Sequence, residues 1–181
     1  LVVGAGSIGR QTARLCRAVG MSVDGVGRRA RPGDTEFDAI YAHTDLLSIL
    51  PDYDFVVIAA PLTPDTQGLF GAAEFTAMAP GARLINIGRG PIVQTEALVN
   101  ALQAGEIDGA ALDVFEQEPL PADHPLWDLP SVRISAHMAG DYIGWKRALS
   151  QQFIENVHRW RAGEALHNRV DKVHGFGTAS T

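Results

Sequence analysis

The segment that narrows the possible folds furthest is Gly4-Ala5-Gly6-Ser7-Ile8-Gly9, a G-x-G-x-x-G run set between the apolar Leu1-Val2-Val3 and a helical pattern from Ile8 to Val19. Gly20 closes that helix, and a second β-rich run follows at Met21 to Val26. Strand, glycine turn, helix and strand in this order make one βαβ unit. Such a unit implies parallel strands, because a parallel pair needs a crossover of this length.

The alternation continues for most of the chain. Strands are expected at Leu1 to Val3, Met21 to Val26, Ala39 to Ala42, Phe55 to Ala60, Arg83 to Ile87, Ala110 to Val114 and Val132 to Ser135. Helices are expected at Ile8 to Val19, Leu46 to Leu50 (stopped by Pro51), Ala72 to Met78 (stopped by Pro80) and Thr95 to Ala104 (closed by Gly105). The expected fold is therefore α/β, a doubly wound parallel sheet of the Rossmann type with helices on both faces. Asp141 to Ala162 reads as one long C-terminal helix with Leu149, Phe153, Val157 and Trp160 on a single face, Trp145 and Trp160 being its packing residues. Residues 1–162 are read as one domain. Residues 163–181, with His174-Gly175-Phe176-Gly177 and Thr178 to Thr181, form an aperiodic tail expected to dock on another domain.

Composition excludes several function classes. A net charge of -6 argues against a partner bound mainly through its phosphates, so nucleic acid is not expected. Cys16 is the single cysteine, so no internal disulfide can form, and no Cys/His spacing resembles a zinc site. His43, His124, His158, His167 and His174 also lack ligand spacing. No apolar run is long enough to span a bilayer and no signal peptide opens the chain, which points to a cytoplasmic protein without a membrane partner. The chain opens inside an apolar run without a methionine, as expected of a fragment.

The glycine turn carries specific chemistry. Gly4 allows the tight turn, Gly6 lets the backbone approach a pyrophosphate, and Gly9 lets the helix lie close to the strand. The helix start at Ser7 and Ile8 offers free N–H groups to the phosphates. A different class is also conceivable: Ala5-Gly6-Ser7-Ile8-Gly9 is one residue from a nucleophile elbow, and Asp113 and His137 follow in serine-hydrolase order. Against it, such an elbow normally sits on a mid-sheet strand with several strands before it, and no oxyanion-hole sequence lies upstream.

Three further stretches stand out: Asn86-Ile87-Gly88-Arg89-Gly90, Ala111 to Leu120 (Ala-Leu-Asp-Val-Phe-Glu-Gln-Glu-Pro-Leu), and Ser135-Ala136-His137-Met138-Ala139-Gly140. With the glycine turn and the loop Pro61-Leu62-Thr63-Pro64-Asp65-Thr66, they closely resemble the D-isomer-specific 2-hydroxyacid dehydrogenase family, which includes glyoxylate and hydroxypyruvate reductases. Arg89, Glu118 and His137 each fall at or just beyond the carboxyl end of a different expected strand, where ligands bind in an open α/β sheet. His137 is the natural general acid/base, able to protonate the alkoxide that develops as a ketone accepts hydride. Glu118, if within reach, would orient the ring and favour its protonated form. Arg89 offers a planar fork matched to a carboxylate, and its flanking glycines would let backbone pass near a nicotinamide.

The resemblance implies the same roles for Arg89, Glu118 and His137. It also implies cofactor contacts from Pro61, Leu62, Thr66, Ile87, Gly88, Asp113 and Gly140, a small 2-keto or 2-hydroxy acid as substrate, and a homodimer in the full-length protein. Ala136 departs from the family's usual proline before the histidine. In the family a second domain supplies the other wall of the cleft, and here its upstream part is missing. A cofactor-sensing corepressor module is the non-enzymatic alternative, against which the intact Arg, Glu and His set speaks.

At the tip of the second strand, where an NAD-preferring site carries an acidic residue, the chain has Gly27 followed by Arg28, Arg29 and, close by, Arg31. Asp24 lies too early, in the expected body of that strand. The expected cofactor is NADP(H), its 2′-phosphate received by Arg28 and Arg29, with NAD(H) possible.

Overall fold

Strand β1 is only two residues long, Val2–Val3, yet both are buried and the strand lies inside an eight-stranded sheet. The computed structural model describes residues 1–172 and the backbone of 176–177. Two units are distinguished, Leu1–His137 and Met138–Thr181. After β1 the first unit runs through α1 (Ser7–Ala18), β2 (Gly25–Gly27), β3 (Arg31–Pro32), β4 (Ala39–Ala42), α2 (Leu46–Ile49) and β5 (Phe55–Ile58). It continues with α3 (Ala72–Ala77), β6 (Arg83–Asn86), α4 (Thr95–Ala104), β7 (Gly109–Leu112) and β8 (Val132–Ile134).

The sheet order is β3-β4-β2-β1-β5-β6-β7-β8, parallel throughout except for the edge pair β3/β4. Val2 is in register with Gly25 on one side and with Val57 on the other. The chain thus winds outward from β1 in one direction and then, from β5, in the other. Right-handed crossovers in opposite directions place their helices on opposite faces, which is the doubly wound fold expected from the sequence.

The core divides accordingly. Leu46, Leu50, Phe75, Leu98 and Leu102 from the later helices pack with Val56, Ile58 and Leu84 in a large apolar cluster. Under α1 a smaller cluster joins Val2, Ala13, Val23, Phe37 and Ile40. Helix α4 ends as expected at Gly105, whose φ of 70° lets the chain turn back so that Glu106 N–H reaches Ala101 O at 2.9 Å.

Two strand expectations need correction. β2 begins at Gly25, not Met21, and reaches Gly27. Asp24 precedes the strand, and its carboxylate accepts the Ala39 N–H at 2.7 Å and the Tyr53 hydroxyl at 2.6 Å. It braces the end of the sheet remote from the strand tips; burial and this carboxylate push the Tyr53 hydroxyl well above its ordinary pKa. The edge strand β3 was not expected, since a two-residue strand containing Pro32 carries no periodic signal.

The second unit contains α5 (Trp145–Arg161), β9 (Val170–Asp171) and β10 (Phe176–Gly177), the last two pairing antiparallel where only an aperiodic tail was expected. α5 starts later than the expected Asp141, because Gly144 at φ 96° directly precedes it. Leu149, Phe153 and Trp160 are exposed, so the packing role expected of Trp160 is not seen among the described residues. Asn156 holds the following turn, accepting the His167 N–H at 2.8 Å and donating to His167 O at 3.2 Å. His174 and Thr178 to Thr181 lie outside the described residues. Among the described residues no helix is long and apolar enough to cross a membrane.

Candidate active site

Gly4, Pro61, Arg89, Asp113 and His137 all follow carboxyl ends of strands, those of β1, β5, β6, β7 and β8. The winding reverses between β1 and β5, and the crevice outside such a reversal is where open α/β sheets bind ligands. The glycine turn is built for close approach. Gly4 has a φ of 110°, and a Cβ on it would stand 2.6 Å from the Ala60 nitrogen. A Cβ on Gly9 would stand 1.9 Å from Gly4 O, so only glycine lets α1 seat against the turn. Gly6 differs, because a Cβ there would meet nothing within 4 Å. Packing within the described residues therefore does not require a glycine here. The first intrahelical bond is Arg10 N–H to Gly6 O, leaving the Ser7, Ile8 and Gly9 amides free of intrahelical partners, and no acidic residue stands in the first turn. An open, unblocked helix start of this kind suits a pyrophosphate.

The loop after β6 is shaped by Asn86, a buried side chain that accepts the Gly88 N–H at 3.0 Å and donates to Arg89 O at 3.2 Å. The flanking glycines are steric requirements of the protein itself: a Cβ on Gly88 would stand 2.8 Å from Ala60 O, and one on Gly90 would stand 1.8 Å from the Phe115 carbonyl. Arg89 is exposed and extended, donates to Gly88 O at 2.7 Å, and pairs with no carboxylate among the described residues. Ile87 is half-buried and donates its N–H to Ile58 O.

Glu118 and His137 come together. His137 Nδ1 lies 2.7 Å from Glu118 Oε2, while Glu118 Oε1 accepts the Phe115 N–H at 3.0 Å. The carboxyl group is held below the usual glutamate range by the His137 hydrogen bond first and the Phe115 N–H second. The Glu118-Pro119 peptide is cis. His137 has a φ of 53°, a left-handed conformation unusual for a residue with a side chain and one that gathers at functional sites. With Nδ1 engaged, Nε2 has no partner among the described residues, and the His137 side chain is exposed.

Asp113 is buried and accepts a hydrogen bond from Ser135 Oγ. Neither Asn86 nor Ser135 was singled out from sequence, although a buried Asn before a glycine pair is a readable signal. Thr66 ties its own loop, with Oγ1 donating to Pro61 O at 2.7 Å and accepting the Thr63 N–H at 2.8 Å, while Pro61 and Leu62 are exposed. Gly140 belongs to the second unit. Ser7 opens α1, no hydrogen bond joins it to His137 among the described residues, and the carboxylate on His137 is Glu118 and not Asp113, so the Ser7, Asp113 and His137 set of the serine-hydrolase alternative is not assembled.

At the β2 tip, Arg28, Arg29 and Arg31 are exposed. The Arg31 Nη1 lies 3.6 Å from the position of a Cβ on Gly27, so a guanidinium stands where the acidic side chain of an NAD-preferring site would start.

Comparison with known proteins agrees with this geometry. Residues 1–139 match the family model described as D-isomer specific 2-hydroxyacid dehydrogenase, NAD binding domain. Glyoxylate/hydroxypyruvate reductase B of Citrobacter koseri is 46% identical over 173 residues, which are 94% of this chain and 51% of that protein. The crystal structure of an NADPH-dependent glyoxylate/hydroxypyruvate reductase from Sinorhizobium meliloti, in complex with NADP and sulfate, matches with a TM-score of 0.89 at 34% identity, covering 97% of this chain and 56% of that one. A D-isomer specific 2-hydroxyacid dehydrogenase from Xanthobacter autotrophicus, in complex with NADPH and MES, gives 0.84 at 36% identity over 95% of this chain and 54% of that one. The chain spans about half the length of the curated relatives it matches. With the family model covering most of its length and the same turn, sheet and loops in place, this chain belongs to the D-isomer specific 2-hydroxyacid dehydrogenase family and carries its NAD-binding domain.

Proposed function

We propose that this chain is the cofactor-binding half of a cytoplasmic enzyme that reduces a small 2-keto acid to the 2-hydroxy acid, with NADP(H) preferred over NAD(H). The observation that carries the reading is the Glu118–His137 pair, with Nε2 unpartnered among the described residues, on the loops beyond adjacent strands β7 and β8. The names of the relatives, glyoxylate/hydroxypyruvate reductases among them, support the substrate class. The solved neighbours holding NADP or NADPH, and the arginines beyond Gly27, support the cofactor.

The glycine turn and the start of α1 would hold the nicotinamide cofactor, which when bound would supply a hydride for the carbonyl carbon. His137 delivers a proton from Nε2 to the carbonyl oxygen as negative charge develops there, and recovers it in the reverse direction. Glu118 fixes the ring's orientation and tautomer through Nδ1. Arg89, paired with no carboxylate among the described residues, receives the substrate carboxylate in a two-pronged hydrogen bond. Asp113 would contact the nicotinamide end of the cofactor, and Pro61, Leu62, Thr66 and Ile87 would line its site. The segment 163–181 returns to a substrate domain, and the whole enzyme is a homodimer.

Steady-state reduction of glyoxylate and hydroxypyruvate by the whole enzyme, with NADPH and NADH in parallel, tests the reading. Turnover with either acid and a higher kcat/KM for NADPH are expected. Tight dinucleotide binding without turnover of any small 2-keto acid would favour the corepressor-like module instead.

A further inference from the structure

The turn between β3 and β4 is fastened to α1 by an unusually dense set of polar contacts. Arg10, one residue past the glycine turn, places Nη2 2.6 Å from Asp34 Oδ2 and Nη1 2.7 Å from Glu36 Oε2. Its guanidinium also lies 5.7 Å from the centre of the Phe37 ring, which is buried in the small core under α1. Asp34 accepts the Glu36 and Phe37 N–H groups through its other oxygen, at 3.1 and 3.2 Å. Further along α1, Arg17 pairs with Asp38 at 2.6 Å, and Asp38 accepts the Val23 N–H at 3.1 Å.

Isolated surface ion pairs contribute little, but a charge held by two carboxylates and an aromatic face on a crowded turn fixes geometry. The turn needs such fixing. β3 is an edge strand of two residues, pairing Arg31 with Ile40 and Pro32 with Ala39, and Pro32 has no N–H to give to the ladder. Yet β3 carries Arg31, whose guanidinium covers Gly27 at the tip of β2.

We propose that Arg10 is a positioning residue for cofactor selectivity: by clamping Asp34, Glu36 and Phe37 onto α1 it fixes β3, and thereby holds Arg31 over Gly27 to receive the 2′-phosphate of the cofactor. This rests on the NADP(H) reading above. Arg10 acts through the hairpin and Arg31 touches the phosphate, so the clamp serves NADPH and is indifferent to NADH.

The test compares NADPH and NADH dissociation constants of the whole enzyme with those of Arg10→Met, of Asp34→Asn combined with Glu36→Gln, and of Arg31→Ala. Each of the first two is expected to weaken NADPH about tenfold and to leave NADH within about twofold, the scale of one misplaced charge-assisted hydrogen bond. Neither should weaken NADPH further when Arg31→Ala is already present, since the two act on one contact. Arg10→Lys should restore part of the preference. If Arg10→Met does not fold, the Asp34/Glu36 pair of substitutions, which keeps Arg10 against Phe37, decides the matter. Equal weakening of both cofactors would overturn the proposal, leaving Arg10 as a support of the fold. Tighter NADPH binding after the carboxylates are neutralised would overturn it too, because Arg10 would then be meeting the phosphate itself. An unmutated enzyme with no preference for NADPH would sink the cofactor reading, and the proposal with it. A clear preference that the variants leave unmoved would sink the clamp alone.

Discussion

His137 Nδ1 and Glu118 Oε2 stand 2.7 Å apart, although the two residues lie beyond different strands, β8 and β7. The contact fixes which imidazole nitrogen is committed to the protein and which is left to exchange a proton. The second Glu118 oxygen is bound to the Phe115 N–H, so the carboxylate cannot swing away without giving up two hydrogen bonds.

His137→Gln in the whole enzyme is expected to lower kcat by about 10²–10⁴-fold with cofactor affinity nearly unchanged, because proton donation belongs to the transition state. Steady-state kinetics with cofactor titration would check this. A loss below about tenfold would mean that another group supplies the proton.

Glu118 is expected to titrate below the ordinary glutamate value, held down by its bond to His137. In His137→Gln its midpoint should rise toward the ordinary glutamate value. Since the folded-state value is depressed, the contribution of the Glu118 carboxylate to stability is present above the unfolded glutamate value and fades as pH falls through the folded one. Carboxyl-carbon NMR across an acid titration reads both effects, and a midpoint unmoved by the substitution would show that the pair does not persist in solution.

Arg89→Lys is expected to raise KM for the keto acid and to lower kcat, because a point charge cannot reproduce the two-pronged grip that also orients the carbonyl. Unchanged kinetic constants would assign Arg89 to loop structure.

Gly6→Ala and Gly9→Ala should separate two functions of one turn. Gly9→Ala forces a methyl group into Gly4 O, and a loss of about 1–3 kcal/mol in urea unfolding is expected, with dinucleotide binding impaired as well. Gly6→Ala meets no protein atom, so stability should hold while dinucleotide affinity falls. Equal destabilisation by both would remove the argument that Gly6 is bare for the sake of a ligand.

Much of the fold was legible in order along the chain. The glycine turn, the helix stop at Gly105 and the alternation of β-rich and helical runs are local signals, each set by a few neighbouring residues, and they gave the doubly wound sheet and most element positions within a residue or two. The placement of Arg89 and His137 just past strand ends followed from the same alternation, whereas Asp113 fell inside the expected strand Ala110 to Val114 and lies past a strand end only because β7 stops at Leu112. Tertiary structure decided what depends on residues far apart in sequence. Gly88 and Gly90 fit the Ala60 and Phe115 carbonyls, Asp24 braces Ala39 and Tyr53, and Glu118 reaches His137. The edge strand β3 exists because it pairs with β4 and is fastened to α1, contacts that leave no periodic trace in Arg31-Pro32. Sequence alone determined the sheet's alternation and the types of chemical group at its edge, because those follow from local backbone preference and side-chain identity. Which groups meet was decided only by folding, because hydrogen-bond distances and steric fit are set by strand order and register, which no local pattern encodes.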